Sequence, residues 1–584
     1  VPSDTKSGRP RLQGFAALRS APRNLMVLAV VIGVGAGIGS IVFRWCVETF
    51  TRFFSGHADY AASPGAGNPH APWLGPCFVL LAPVVGGLLY GPLVHRFAKE
   101  ARGHGVPEVM LAVAQRGGRI SPKVAVVKTL ASALCIGSGG SVGREGPIVQ
   151  IGSSLGSALG RVTKVTEGRM RLLVACGAAG GIAATFNAPL AGVFFAMELI
   201  LGTFSAEAFG ATVLASVTAS VIGRAAFGNL AFLRLPDFHV DHLGQYALFA
   251  ALGVVAGVVG VGFSRFLYLV EDACDWLWRG PEWLRPAVGG VALGAVLLVL
   301  PQMYGVGYPV LEKATEGGYA VGFLLLLLVG KMLATSLTIG IGGSGGVFAP
   351  SLFIGAMLGS GYGSLVHRLL PGSAGAVGAY ALVGMGAVFA GAARAPITAV
   401  VILFELTGEY SIILPLMLAI VLATATSRLL SGDTVYTLKL RRRGIDLDGP
   451  VPGARIGTQR VDAVMEPLPS PLPASTVLAD SAGLLSLSGH GALPVVDDHG
   501  AYVGVVTARA VAEALAERPD DAPAVVGLLA QSPPPVLADQ PLVQALHTLL
   551  SVAGTGVPVL ASERGEPVGW LSHQSALRAV RTTA

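Results

Sequence analysis

GSGGSVGREGPIVQIGSSLG, from Gly137 to Gly156, is written a second time as GIGGSGGVFAPSLFIGAMLG, from Gly340 to Gly359. With Gly137 laid on Gly340, an offset of 203, glycines 139, 140, 143, 152 and 156 fall on glycines 342, 343, 346, 355 and 359, and Pro147 falls on Pro350. Both copies sit in apolar surroundings. A glycine-rich break in such sequence exposes backbone polar groups at membrane depth, which is tolerated where they line a cavity or meet an ion. Two such breaks point to one site built from two half-proteins. A second pair supports the duplication: GAAGGIAATFNAPLAGVFFAMEL (Gly177–Leu199) matches GMGAVFAGAARAPITAVVILFEL (Gly384–Leu406) at an offset of 207.

The 584 residues are 52% apolar and 13% charged, with 80 glycines and a mean hydropathy of +0.66. Soluble domains carry about 25% charge, so a large membrane part follows. Several apolar runs exceed the roughly 20 residues that span a bilayer, and the shorter ones cluster at the glycine breaks, as discontinuous helices do. The net charge of +6 is modest. The cluster Lys439, Arg441, Arg442 and Arg443 reads as a cytoplasmic-side anchor, with no nucleic-acid surface behind it. The five cysteines have no CxxC spacing and read as buried apolar residues, so neither a metal site nor a disulfide framework is expected.

The expected organisation is a cytoplasmic segment over 1–20, membrane half-repeats over 21–225 and 226–430, a basic linker over 431–460, and two small units over 461–520 and 521–584. Each small unit has a Pro-Val strand, a turn and a strand ending in Ser or Thr: LPVVDDHGAYVGVVT (493–507) and VPVLASERGEPVGWLS (557–572). This is a duplicated α/β module.

In Gly143–Pro147, glycines flank Arg144 and Glu145, and Pro147 suits the first turn of a helix. Free N–H groups at such a helix start attract an anion. Phe348, ahead of Pro350, holds the corresponding place in the second copy, and Gly103-His104-Gly105-Val106-Pro107 repeats the grammar. Helix starts without a fixed cation favour a releasable monovalent anion such as chloride. Glu145 is the anomaly. An ionised carboxylate there takes the anion's place and leaves it when protonated or displaced, which makes it a gate; alternatively it is a plain helix cap. Arg144 and Lys128, the other charges in this apolar block, either partner carboxylates or supply positive potential to the pathway.

These residues resemble the chloride channel and transporter (CLC) family over about residues 20–440, through GxGxP, GREGP, the NAPLAG helix and GxFxP in that order. The resemblance implies an all-α polytopic membrane protein with an inverted internal repeat and broken helices, forming a homodimer in which each subunit has its own anion pathway. It implies Glu145 as gating glutamate. It also implies anion-binding roles for His104, Gly105, Arg144, Gly146, Val347 and Phe348, and an inner closure by Tyr436, which by itself reads as an interfacial anchor. The protein is then expected in the cell membrane, multi-pass, with both termini and the C-terminal units cytoplasmic. No enzymatic activity is expected, and no cofactor beyond chloride as the transported ion.

Two departures stand out. His104 replaces the usual serine or proline; either its imidazole donates to the anion and makes permeation pH-sensitive, or it is turned aside. Family exchangers carry two adjacent glutamates after NAPLAG, and here the pair is Glu198-Leu199. Leucine carries no proton, so the expected function is passive chloride conduction gated by Glu145. Cl⁻/H⁺ antiport through another titratable group or a water wire is the alternative, and a secondary transporter of another substrate a third reading. The C-terminal pair resembles tandem cystathionine-β-synthase-type (CBS) domains. The family's ribose-binding Asp is absent after both Thr507 and Ser572, whose places are followed by Ala510 and Ser575. Thr507 and Ser572 are the possible nucleotide-binding residues: they either touch phosphate or cap helices, capping being the cheaper explanation, so a dimerising, regulatory module without adenine nucleotide is expected.

Overall fold

The computed structural model describes residues 22–228, 242–371, 375–445, 459–517, 525–531, 533, 536–551, 556–562 and 565–582. The segment expected over 1–20, the stretch 229–241 near the junction of the halves, and linker residues 446–458 lie outside them. The chain divides into two units at Ile445/Asp446.

The first unit is helical. Its first half runs α1 (Pro22–Ser55), α2 (Phe78–Phe97), α3 (Val106–Gln115), α4 (Pro122–Gly137), α5 (Glu145–Thr163), α6 (Glu167–Phe186), α7 (Pro189–Phe195) and α8 (Ala206–Phe227). The second half follows the same order: α9 (Gly244–Leu277), α10 (Arg285–Val299), α11 (Tyr308–Thr315), α12 (Val321–Gly340), α13 (Phe348–Leu369), α14 (Val377–Ala393), α15 (Pro396–Thr407) and α16 (Ile413–Leu430). Among the described residues seven helices are long and apolar enough to cross a bilayer. Shorter apolar ones, such as α3, α7 and α15, are the fragments on which the site is built.

The duplicated stretch dictates where helices stop. Gly139 and its mate Gly342 take φ of 107° and 99°, a conformation that L side chains rarely adopt, just after α4 and α12. The next helices, α5 and α13, restart at Glu145 and Phe348. Between them Gly143 and Gly346 form an antiparallel bridge, each amide donating to the other's carbonyl at 2.8 Å. Repeat mates paired in opposite directions put a pseudo-two-fold axis between them, and the two halves are inverted about it.

Small residues let backbones touch where no hydrophobic force between helices exists. A Cβ on Gly152 of α5 would stand 2.1 Å from Gly177 O of α6, and one on Gly355 of α13 would stand 2.3 Å from Gly384 O of α14. These four glycines are matched pairs of the repeat. Two carboxylates then lock the halves reciprocally. Glu198, in the π-helical turn Ala196–Leu201 that continues α7, accepts from Ile397 N (3.2 Å), Thr398 N (2.8 Å) and Thr398 Oγ1 (2.7 Å) at the start of α15. Glu405 of α15 accepts from Leu190 N (2.9 Å) and Ala191 N (2.7 Å) at the start of α7. Each fills the orphan amides of the other half's helix, where the positive end of the dipole favours a carboxylate.

Residues 431–445, expected as the beginning of a linker, belong to this unit. Val435 N donates to Ala392 O at 2.9 Å, and Val435, Tyr436 and Leu440 are buried around α17 (Thr437–Arg441). Apolar side chains at 435, 436 and 440 alternate with basic ones, so one face of the segment packs on the helices while the other carries charge.

The second unit is α/β, with two three-stranded sheets. Strands β1 (Leu472–Pro473), β2 (Ala492–Val496) and β3 (Tyr502–Thr507) run in that order, as do β4 (Val536–Leu537), β5 (Gly556–Leu560) and β6 (Pro567–Ser572). In each, the first pair is parallel and the second antiparallel, with Val495 opposite Gly504 and Val559 opposite Gly569. Helices α18 (Leu478–Leu487), α19 (Ala508–Glu517), α20 (Leu542–Ser551) and α21 (His573–Thr582) complete the unit. The leading segments are exchanged. Val461, ahead of the first sheet, packs into the second core, and Val526, ahead of the second, packs into the first. The pair therefore folds as one body.

The glycine contacts carry a prediction. Gly152→Val should destabilise the first unit by about 3 kcal/mol or more, because the wall opposite is backbone and cannot yield. Gly168→Ala on α6, where nothing lies within 4 Å of an added Cβ, should be neutral or stabilising by up to about 1 kcal/mol. Thermal melting in detergent measures both.

Candidate anion pathway

The centre of the first unit is a set of broken ends. Glu145, at the start of α5, is 1% exposed. Its Oε1 accepts from Phe348 N at 2.7 Å and Ala349 N at 3.2 Å, the first free amides of α13. Its Oε2 has no partner among the described residues. The carboxylate fits because Gly143 and Gly346 have no side chains: a Cβ on either would lie 2.1 Å from a Glu145 oxygen. The amides that reach the carboxylate are those of Phe348 and Ala349, while the amides of Val347 and Phe348 were expected to serve the anion itself. The reason is that α13 begins at Phe348, leaving Val347 as its N-cap. The Phe348 ring is held against Phe186 and Phe389, with centroids 5.6 and 4.6 Å away.

Lys128 of α4 is fully buried and donates to Ala101 O (2.9 Å) and Gly103 O (2.7 Å). The expectation leaves open whether it serves a carboxylate or the pathway; its Nζ is held by backbone carbonyls. Lys331, exactly 203 residues on, does the same in α12, donating to Gly305 O (3.1 Å), Val306 O (2.9 Å) and Ser141 Oγ (2.9 Å). Sequence reasoning names Lys128 and misses Lys331. It also misses Gly305-Val306-Gly307-Tyr308-Pro309, which repeats Gly103–Pro107 at an offset of 202. The repeat offset was the signal that could have found both.

The Gly103 segment pairs with the second half: Gly103 N donates to Gly343 O at 3.0 Å. Gly105 (φ 82°) and Gly146 pass so close that a Cβ on Gly146 would stand 1.9 Å from His104 O. His104 is 2% exposed. Its ring faces Tyr268 of α9 and Tyr436, with centroids 6.3 and 6.4 Å away, and its Nε2 lies 3.5 Å from Tyr268 Oη. Tyr268 donates its hydroxyl proton to Val435 O. No motif announces Tyr268, since α9 is otherwise a plain apolar span.

Two cavities flank this centre. One of about 330 Å3 is lined by Arg144, Tyr308, Gly305 and Asp59 among others; the Arg144 guanidinium lies over the Tyr308 ring at 5.1 Å. The other, about 600 Å3, is lined by Gly103, Arg102, Glu271, Asp275, Lys439 and Arg443 among others. Leu199 is 9% exposed and Glu198 is engaged in its helix cap. In the second unit, Thr507 Oγ1 accepts from Ala510 N at 3.2 Å and Ser572 Oγ from Ser575 N at 2.9 Å, so both hydroxyls cap helices. Trp570, fully buried, packs with Ala492 and Val505 between the sheets. Among the described residues no cluster of His, Cys, Asp and Glu has metal-site geometry.

Inverted halves of broken helices, meeting at amides that hold a carboxylate, define an ion-carrying membrane protein. The chain belongs to the voltage gated chloride channel family, whose model matches residues 86–428, and a CBS domain model matches residues 461–517. It is no enzyme; chloride is its transported ion. A relative from Ralstonia nicotianae named "Putative chloride channel protein ClcB-like" is 36% identical over 72% of this chain and 98% of its own length. The H(+)/Cl(-) exchange transporter ClcA of Vibrio parahaemolyticus is 33% identical over 73% of this chain and 91% of its own. The crystal structure of a slow cyanobacterial Cl-/H+ antiporter matches with a TM-score of 0.65 and 28% identity, over 73% of this chain and 98% of that one.

The expectation of passive, Glu145-gated conduction does not stand. It rested on Leu199 alone, whereas the transporters that match the membrane unit are named as proton exchangers. One leucine removes one carboxylate from one place; it does not remove water or the other titratable groups around the pathway.

The geometry at Glu145 predicts the sign of a pH effect. Ionised, the carboxylate competes with chloride for Phe348 N and Ala349 N; protonated, it releases them. Chloride binding should therefore tighten as pH falls, while Glu145→Gln should bind with little pH dependence. Isothermal titration in detergent at a series of pH values checks both.

Proposed function

We propose that the protein exchanges chloride for protons across the membrane. The observation that carries this reading is the Glu145 carboxylate on Phe348 N and Ala349 N, the donors an anion would otherwise use. One group that is both proton acceptor and anion competitor couples the two ions: taking a proton from outside frees the amides, and losing it inward closes them. The names of the transporters similar to the membrane unit support exchange over conduction.

In this reading Glu145 is the gate. His104, Gly105, Gly146, Val347 and Phe348 line the anion's path, and Tyr436 closes it on the inner side. The cavity at Arg144 is the outer vestibule and the cavity at Gly103 the inner one. Arg144 and Lys128 hold positive potential along the way, joined by Lys331. The functional form is a homodimer with one pathway per subunit. Both termini and the CBS-type pair face the cytoplasm, and the pair regulates or dimerises without nucleotide, since Thr507 and Ser572 spend their hydroxyls on caps. The domain limits are membrane halves over 21–225 and 226–430 and CBS-type units over 461–520 and 521–584, with the linker shortened to 446–460.

Proteoliposomes loaded with chloride and diluted into low chloride provide the test, with a chloride electrode and a pH electrode read together. The outward chloride gradient should drive protons inward against their own gradient, and Glu145→Gln should abolish the proton movement. Chloride efflux that needs only a charge shunt, without uphill protons, would overturn exchange.

A further inference from the structure

Exchange requires that the proton on Glu145 reach the inner side, and the place that family exchangers use holds Leu199. Glu198, next to it, has both oxygens in the cap of α15. The other buried ionisable groups near the pathway divide clearly. Lys128 has its ammonium group on two backbone carbonyls, and Lys331 on two carbonyls and the Ser141 hydroxyl. Tyr268 has its hydroxyl proton on Val435 O. His104 differs, because its Nδ1 is buried and has no partner among the described residues.

The tautomer follows from the neighbours. A phenol has one proton to give, and Tyr268 gives it to Val435 O, so towards His104 Nε2 its oxygen can only accept. Nε2 therefore carries the hydrogen of the neutral ring, and Nδ1 keeps a lone pair. A buried imidazole nitrogen with a free lone pair is a base. It lies in the segment that touches α5 beside Glu145: Gly146 packs on His104 O, and the His104 ring is 6.4 Å from that of Tyr436. On its other side Gly103, the preceding residue, lines the inner cavity.

We infer that His104 carries the proton between Glu145 and the inner cavity, the step that Leu199 cannot perform. This rests on the exchange reading. In the inward direction the Glu145 carboxyl gives its proton to Nδ1, directly or through water, leaving a carboxylate and an imidazolium. The imidazolium then gives one proton to water in the inner cavity and returns to the neutral ring. Nothing else is consumed.

The charged and titratable groups around His104 come from three neighbouring elements and keep an imidazolium there short-lived. Lys128 faces it from α4, Tyr268 from α9, and Tyr436, Lys439 and Arg443 from the segment after α16. The cations are each engaged: Lys128 by carbonyls, Lys439 by Glu271 and Arg443 by Glu108. The added charge is offset by the Glu145 carboxylate that the transfer itself creates.

The test uses the full chain in proteoliposomes and reads protons moved per chloride, a ratio that a purely structural change in throughput leaves alone. His104→Ser keeps a small hydroxyl, and His104→Asn keeps a hydrogen-bond donor towards Tyr268; neither titrates. Both should lower the ratio by at least about tenfold, in line with the loss of a positioned acid–base group. Its recovery in His104→Asn/Leu199→Glu would assign that loss to proton carriage. If the parent protein moves protons uphill and either variant keeps the parent ratio, the inference is overturned and exchange stands. If the parent protein moves no protons uphill, exchange and the inference fall together.

Discussion

A broken helix inside a membrane leaves amides and carbonyls that lipid cannot satisfy, and the architecture of the first unit is the answer to that constraint. The carbonyls at the breaks go to two buried lysines, Lys128 and Lys331, one in each half and 203 residues apart. The amides at Phe348 and Ala349 go to Glu145. Each lysine is anchored in a helix beside the break and stays on its carbonyls. A carboxylate can be neutralised by one proton, after which the amides need another anion. The division of partners between fixed cations and a removable anion is what turns a structural problem into a pathway.

The same accounting explains Glu198 and Glu405. Each closes the orphan amides at the start of the other half's short helix, so the inverted halves are held by exchanged caps as well as by glycine-on-glycine packing. This also bears on the proton. A glutamate spent on a cap is not available as a relay, and the leucine beside it never was. Reading Leu199 as proof of passive conduction treats one position as the whole route. Another titratable group, His104, lies in the segment that packs on Gly146 beside the same gate.

Much of this was legible in the order of residues. The repeat, the glycine breaks, the out-of-place carboxylate at Glu145 and the change of composition after Leu430 are local patterns that need no coordinates. Lys331 and the Gly305–Pro309 copy are legible only through the repeat offset, because each looks ordinary alone. The partners of these groups were not legible. That Phe348 and Ala349 hold Glu145, that Val461 packs in the far core of the C-terminal unit, and that Tyr268 stands on Val435 O all join residues far apart in sequence, and no motif names the partner.

By itself, then, the sequence determined that two glycine-broken halves meet at one anion-seeking centre, because glycine, proline and a lone carboxylate act on their own backbone. Which amide meets which carboxylate, which lysine is spent on a carbonyl, and which histidine nitrogen is left without a partner were decided only by the tertiary structure. The physical reason is that hydrogen bonding at membrane depth is a balance over the whole unit: a group's chemistry depends on what every other group has already taken.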